Sequence, residues 1–155
     1  MKLTALFLTV TSTILFSCNH SHSVSDDHAG NNSEPAHHHN EAAPELSQNN
    51  GAKWQTDKNT QMHVASLKAK LDAFSASDDH EIAAYHVLAS DLSNELKELI
   101  SNCKMEGKAH DALHLWLAPV LKDVENLQNV TTTDLGKNTL KHLNNSMKEF
   151  NNYFI

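Results

Sequence analysis

From about Ala52 onward the apolar positions recur at alternating steps of three and four, the pattern of helices that bury one face. Val64, Leu67, Leu71 and Phe74 mark a first helix over residues 57–74. A second opens at Ser77-Asp78-Asp79, where short polar side chains and early negative charge suit a helix start, and carries Ile82, Tyr85, Ala89, Leu92, Leu96, Leu99 and Cys103 on its inner side. Gly107 ends that segment and permits a tight reversal. A third helix then runs over residues 109–127 through Leu113, Leu117, Val120 and Val124, with Pro119 expected to bend it. The spacing Thr131-x-x-Asp134 resembles a capping box and opens a fourth helix through Leu140, Leu143, Met147, Phe150 and Phe154. Strand patterns are absent. Four helices joined by short turns predict an all-α, up-down-up-down four-helix bundle over residues 51–155, because short connections force consecutive helices antiparallel.

The front of the chain reads differently. Lys2 precedes an apolar, Thr-rich stretch over residues 3–16, too short to span a bilayer as a stable helix, and Leu15-Phe16-Ser17-Cys18 follows. This resembles a bacterial lipobox. The resemblance implies that residues 1–17 are a lipoprotein signal peptide cleaved before Cys18, whose thiol and new amino group are acylated. Multiple acyl chains hold a protein at a membrane where one is marginal. The expected location is the bacterial envelope, on the outer rather than the inner membrane, with the folded part periplasmic or surface-exposed.

Residues 18–50 combine the acylated cysteine with a tract of Ser, Asn, Ala, acids and six histidines (His20, His22, His28, His37, His38 and His39) and few aliphatic side chains. No core can form from such a composition, so the tract is expected to be a disordered tether. Its imidazoles can collect divalent transition metals in shifting combinations. After residue 17 the chain holds eleven lysines, no arginine and nineteen acidic residues, a formal charge of minus eight with histidine neutral. That balance argues against nucleic acid as a partner and favours cations.

Chemistry concentrates at one turn. Cys103, Met105, His110 and His114 bring a thiol, a thioether and two imidazoles into twelve residues, a donor set suited to a soft metal ion. His110 and His114, four apart on a helix, present both rings on one face. In the predicted topology the start of the first helix and the end of the fourth reach the same pole, which adds Met62, His63 and Met147 as candidates. Thioether favours Cu(I), whereas Cys with two His would also accept zinc, so copper is preferred and zinc comes second. The segment Cys103-x-Met105-x-Gly107-x-Ala109-His110-x-x-x-His114, with Asn50-Gly51-x-Lys53-Trp54 ahead of it, resembles small Gram-negative envelope lipoproteins with a His-rich tether and a helical domain. That resemblance implies an envelope protein linked to heavy-metal handling. For a metal-capturing protein anchored in the envelope, the expected partners are the metal ion, the membrane and an envelope metal transporter or oxidase.

Enzyme signatures are missing. There is no phosphate loop, no His-Glu-x-x-His, no paired Glu-x-x-His and no Cys-x-x-Cys-His. The competing expectation is a structural or interaction bundle in which Cys103 and the methionines simply pack.

Overall fold

The computed structural model describes residues 44–155; the expected signal peptide, the expected lipidation at Cys18 and the His-rich tract lie outside the described residues. Four helices follow in order: α1 (Lys58–Ser75), α2 (Ile82–Asn102), α3 (Gly107–Gln128) and α4 (Thr133–Tyr153). Each packs on its sequence neighbour and α1 closes against α4, giving the antiparallel four-helix bundle that the periodicity predicts. No helix among the described residues is long and apolar enough to cross a membrane.

The inner stripes merge into one core. Leu67, Leu71, Leu92, Leu96, Leu99, Leu113, Val120 and Leu143 are at most 2 % exposed. Burying one such side chain is worth about 1.5–3 kcal/mol, so the core is the main source of stability. Trp116 is fully buried in this core, and its indole N–H donates to the Ser146 carbonyl at 2.8 Å, so a large apolar body is buried without orphaning its polar tip. Pro119 falls on an exposed face of α3, and the helix continues through it.

Three helix boundaries depart from the sequence pattern. Ser77-Asp78-Asp79 does not open α2; it forms the connection, where the Ser77 hydroxyl donates to the Phe74 carbonyl and Asp79 accepts from the Glu81 N–H. α2 starts one turn later at Ile82 with Glu81 as its N-cap, which makes no side-chain capping bond. Thr132, rather than Thr131, caps α4 by accepting from the Leu135 N–H. Gly107 does not end α2; it opens α3 at φ +60°, after Cys103 has closed α2 in an extended conformation. An L residue at that φ would be strained, so glycine is the natural occupant.

Residues 44–57 lie against the end of α4. The Asn50-Gly51 pair, both at positive φ, turns the chain between Asn49 and Ala52, whose N–H and C=O groups bond reciprocally at 2.9 and 3.0 Å. The Trp54 N–H then donates to Tyr153, the Ile155 N–H to Trp54, and the Thr56 N–H to Ile155. Contacts with the bundle begin at Leu46, ahead of the boundary placed at Gly51. The Trp54 ring packs on the core edge and donates through its indole nitrogen to the Ser47 carbonyl.

Candidate functional site

The site is assembled by the connection between α2 and α3. Asp57 caps α1, its Oδ1 accepting from the Thr60 N–H at 2.7 Å, while its Oδ2 accepts from the Lys104 N–H at 2.6 Å. One carboxylate thereby fastens the start of α1 to the residue after Cys103. Burial alone would raise the Asp57 carboxyl, but the bonds it accepts from Thr60, Lys104 and Asn59 outweigh burial and hold it below its ordinary value. Asn59 adds a second fastening, donating from Nδ2 to the Asn102 carbonyl.

Cys103 is half-buried against the core edge. The hydroxyl of Thr60, itself fully buried, donates to its sulfur at 3.7 Å. On the other side His110 Nδ1 stands 3.8 Å from Sγ, and His110 Nε2 stands 2.8 Å from His114 Nε2. The two rings meet edge to face at a centroid distance of 4.5 Å. Thiol and imidazoles form a row in which His110 is the middle member. A cavity of about 200 Å³ opens beside them, walled by Leu99, Ile100, Leu113 and Leu117.

These distances decide which atoms could share an ion. With metal–sulfur and metal–nitrogen bonds of about 2.3 and 2.0–2.1 Å, a separation of 3.8 Å corresponds to a ligand–metal–ligand angle of roughly 120°. Cys103 and His110 are thus already spaced as two ligands of one ion. The 2.8 Å between the imidazoles is a hydrogen bond and is too short for tetrahedral ligands, which would stand about 3.3 Å apart. His114 also faces the nitrogen of His110 that points away from the thiol. It is placed to hydrogen-bond that nitrogen, and a bond at the far nitrogen is what orients a metal-ligating imidazole and fixes its tautomer. Among the described residues no group of three or more His, Cys, Asp and Glu side chains is arranged to hold an ion, so the site offers two strong donors.

The other candidates fall elsewhere. Met105 is half-buried and packs on the core beside this connection. Met62 is 55 % exposed on the outer face of α1. His63 points inward, but its Nδ1 pairs with Glu95 Oε1 on α2 at 2.7 Å. Met147 is 3 % exposed within the core and flanks a groove with Val64, Phe150 and Phe154, so it serves as packing. Of the seven residues, the structure brings Cys103, His110 and His114 together and places Met105 on the same connection. Met62, His63 and Met147 share the pole without joining the cluster.

The His63 pair is structural. Burial would raise the Glu95 carboxyl, yet hydrogen bonds from His63 and Ser66, with the charges of His63 and Lys70, outweigh burial and hold it below its ordinary value. Asp57 and Thr60 were not singled out from the sequence. An Asp immediately before a helical stripe signals a cap, which could have found Asp57; nothing local announces that its second oxygen reaches Lys104. No family model, no curated protein and no solved structure matches the chain.

Proposed function

We propose that this protein is a lipid-anchored envelope protein that captures a soft metal ion, Cu(I) in preference to Zn(II), between Cys103 and His110. The 3.8 Å approach of Sγ to Nδ1 carries this reading. A thiolate and an imidazole suit Cu(I) or Zn(II), and an angle near 120° with a thioether as the available third donor favours the soft, low-coordinate ion. Leu99, Ile100, Leu113 and Leu117 give the cavity beside the pair an apolar lining, while Thr60 and His114 hold the two ligands in orientation. Met105 offers a thioether from the same connection. In this reading the His-rich tract gathers ions and the bundle pole holds one more tightly.

The anchor follows from the lipobox resemblance at Leu15-Phe16-Ser17-Cys18. It keeps the site at the membrane surface, where an envelope metal transporter or oxidase could exchange the ion. Mass spectrometry of the membrane-extracted protein tests it, because diacylglycerol and an amide-linked acyl chain should sit on an N-terminal Cys18.

The metal site is tested by anaerobic Cu(I) titration of the mature protein against a competing chromophoric chelator. One equivalent should bind more tightly than the remainder, and that equivalent should disappear in Cys103→Ser and in His110→Ala. A ligand bound only by the folded state stabilises it by about 2.7 kcal/mol at a hundredfold excess over Kd, so the melting temperature should rise with copper in the parent and not in either variant. If both variants match the parent, the site does not exist and the protein is an interaction bundle whose Cys103 packs as a small apolar residue.

A further inference from the structure

A second site lies near the opposite pole. Tyr85 of α2 and Cys103, which caps the end of that helix, are separated by 18 residues, about 27 Å at helical rise, so the two places are independent. Here α4 and the connection between α1 and α2 border a cavity of about 370 Å³, within the size range of small-ligand pockets. Lys137, Lys141 and Lys148 of α4 line it together with Asn144, Leu140, His80 and Tyr85. In a chain as acidic as this one, three lysines on one cavity concentrate positive charge, and none of the three forms an ion pair among the described residues.

The floor of the cavity adds a second, independent sign. Tyr85 is fully buried, yet its hydroxyl has no hydrogen-bond partner, and the buried Nδ1 of His80 is likewise unpaired. Leaving a buried hydroxyl unsatisfied is unfavourable, so native proteins nearly always give it a partner. The ring is held in place by neighbours: Phe74 at a centroid distance of 5.1 Å and Gly136, whose lack of a side chain lets α4 lie against it. Burial and the nearby charge of Asp134 push the phenol above its ordinary value.

We infer that this cavity binds a small organic carboxylate with an apolar body, its head accepting from the Tyr85 hydroxyl and the lysine ammonium groups and its body lying on Leu140 and the Tyr85 ring. A carboxylate with an apolar body suits the cavity better than a phosphate, because Leu140 and the Tyr85 ring offer apolar surface that a phosphate would leave unfilled. Charge at the rim steers the anion inward, and the unpaired hydroxyl supplies the directional contact.

The test is an NMR titration of the mature protein at constant ionic strength with benzoate, acetate and inorganic phosphate as probes. Benzoate should shift the Tyr85 and Asn144 signals saturably, with a dissociation constant of about 1 mM or below for a ligand of this size. Acetate, lacking the body, and phosphate should each bind several-fold more weakly. Tyr85→Phe keeps the ring and removes only the hydroxyl, and Lys141→Gln changes an exposed residue; each should weaken benzoate about tenfold. Shifts that grow linearly without saturating would overturn the inference. So would tighter binding of phosphate than benzoate, or unchanged benzoate affinity in Tyr85→Phe.

Discussion

Asp57 holds Lys104 by its backbone: the carboxylate that caps α1 also accepts the N–H of the residue following Cys103. The two oxygens do different work, one satisfying an orphan N–H of α1 and the other fixing the loop that carries the thiol. Removing an N-cap side chain costs about 0.5–2 kcal/mol, and Asp57→Ala also orphans the Lys104 N–H. The variant should therefore lose about 1–2 kcal/mol in urea denaturation, and it should bind Cu(I) more weakly because Cys103 is no longer fixed relative to His110. Asp57→Asn, which can still cap α1, should lose less of both. Equal copper affinity in all three proteins would mean that the fastening does not serve the site.

His110 and His114 should respond unequally to truncation. His110 supplies the nitrogen facing the thiol, whereas His114 touches only the far side of that ring. His110→Ala is expected to abolish tight binding. Loss of a residue that orients a metal-ligating imidazole costs about 10–100-fold in affinity, and His114→Ala should fall in that range. Competition titrations of the two variants distinguish the roles, and equal loss from both would instead make His114 a direct ligand.

His63 gives the complementary case. Its partner is Glu95 on α2, so His63→Ala removes a partner from a half-buried carboxylate and should destabilise the fold by about 1–3 kcal/mol. Copper affinity should stay at the parent value. A thermal melt and a chelator titration on the same preparation measure both, and loss of binding in a well-folded His63→Ala protein would return His63 to the ligand set.

The helices were legible because burial imposes a period on the sequence, and the stripe through Leu92, Leu96 and Leu99 has no other explanation. Their ends were less so. Ser77 and Asp79 are good capping residues, but they spend their bonds on Phe74 and Glu81 in the connection, and capping chemistry alone does not say which turn it serves. At the site, pole and face must be separated. Topology brings Met62 to the right end, yet it lies two residues from Val64, about 200° around the helix, and so faces outward. That was readable from the same stripe. The His63–Glu95 and Asp57–Lys104 contacts were not, because they depend on how two helices rotate against each other.

Glu95 and Asp57 predict the acid response. Both carboxyls are held below their ordinary values in the folded protein, so each favours folding above the unfolded value, near 4.5 for Glu95 and 3.8 for Asp57. The contribution is lost as pH falls from there through the lowered folded values, since the unfolded chain then binds more protons. Denaturant midpoints should be nearly flat for these groups above pH ~5 and fall below it. Glu95→Gln should flatten the fall, and an unaltered acid slope in that variant would place the linkage elsewhere.

Gly136 lets α4 lie directly against the Tyr85 ring. A Cβ at this position would stand 2.6 Å from Cε2 and 2.7 Å from Cδ2 of Tyr85, and that ring is fully buried, so it cannot swing aside. Alanine ordinarily gains about 1 kcal/mol over glycine inside a helix, whereas forcing an extra carbon into a packed contact costs about 1–3 kcal/mol. The contact should win, leaving Gly136→Ala less stable than the parent. The double variant Gly136→Ala/Tyr85→Leu removes the clashing ring, so the alanine should then be neutral or favourable in that background. Because the residues touch, their effects should be non-additive by about 0.5–3 kcal/mol. Chemical denaturation of the parent, both single variants and the double variant closes the cycle. A Gly136→Ala protein more stable than the parent would show that α4 can shift away from the Tyr85 ring, and the floor of the carboxylate cavity would then lack its fixed geometry.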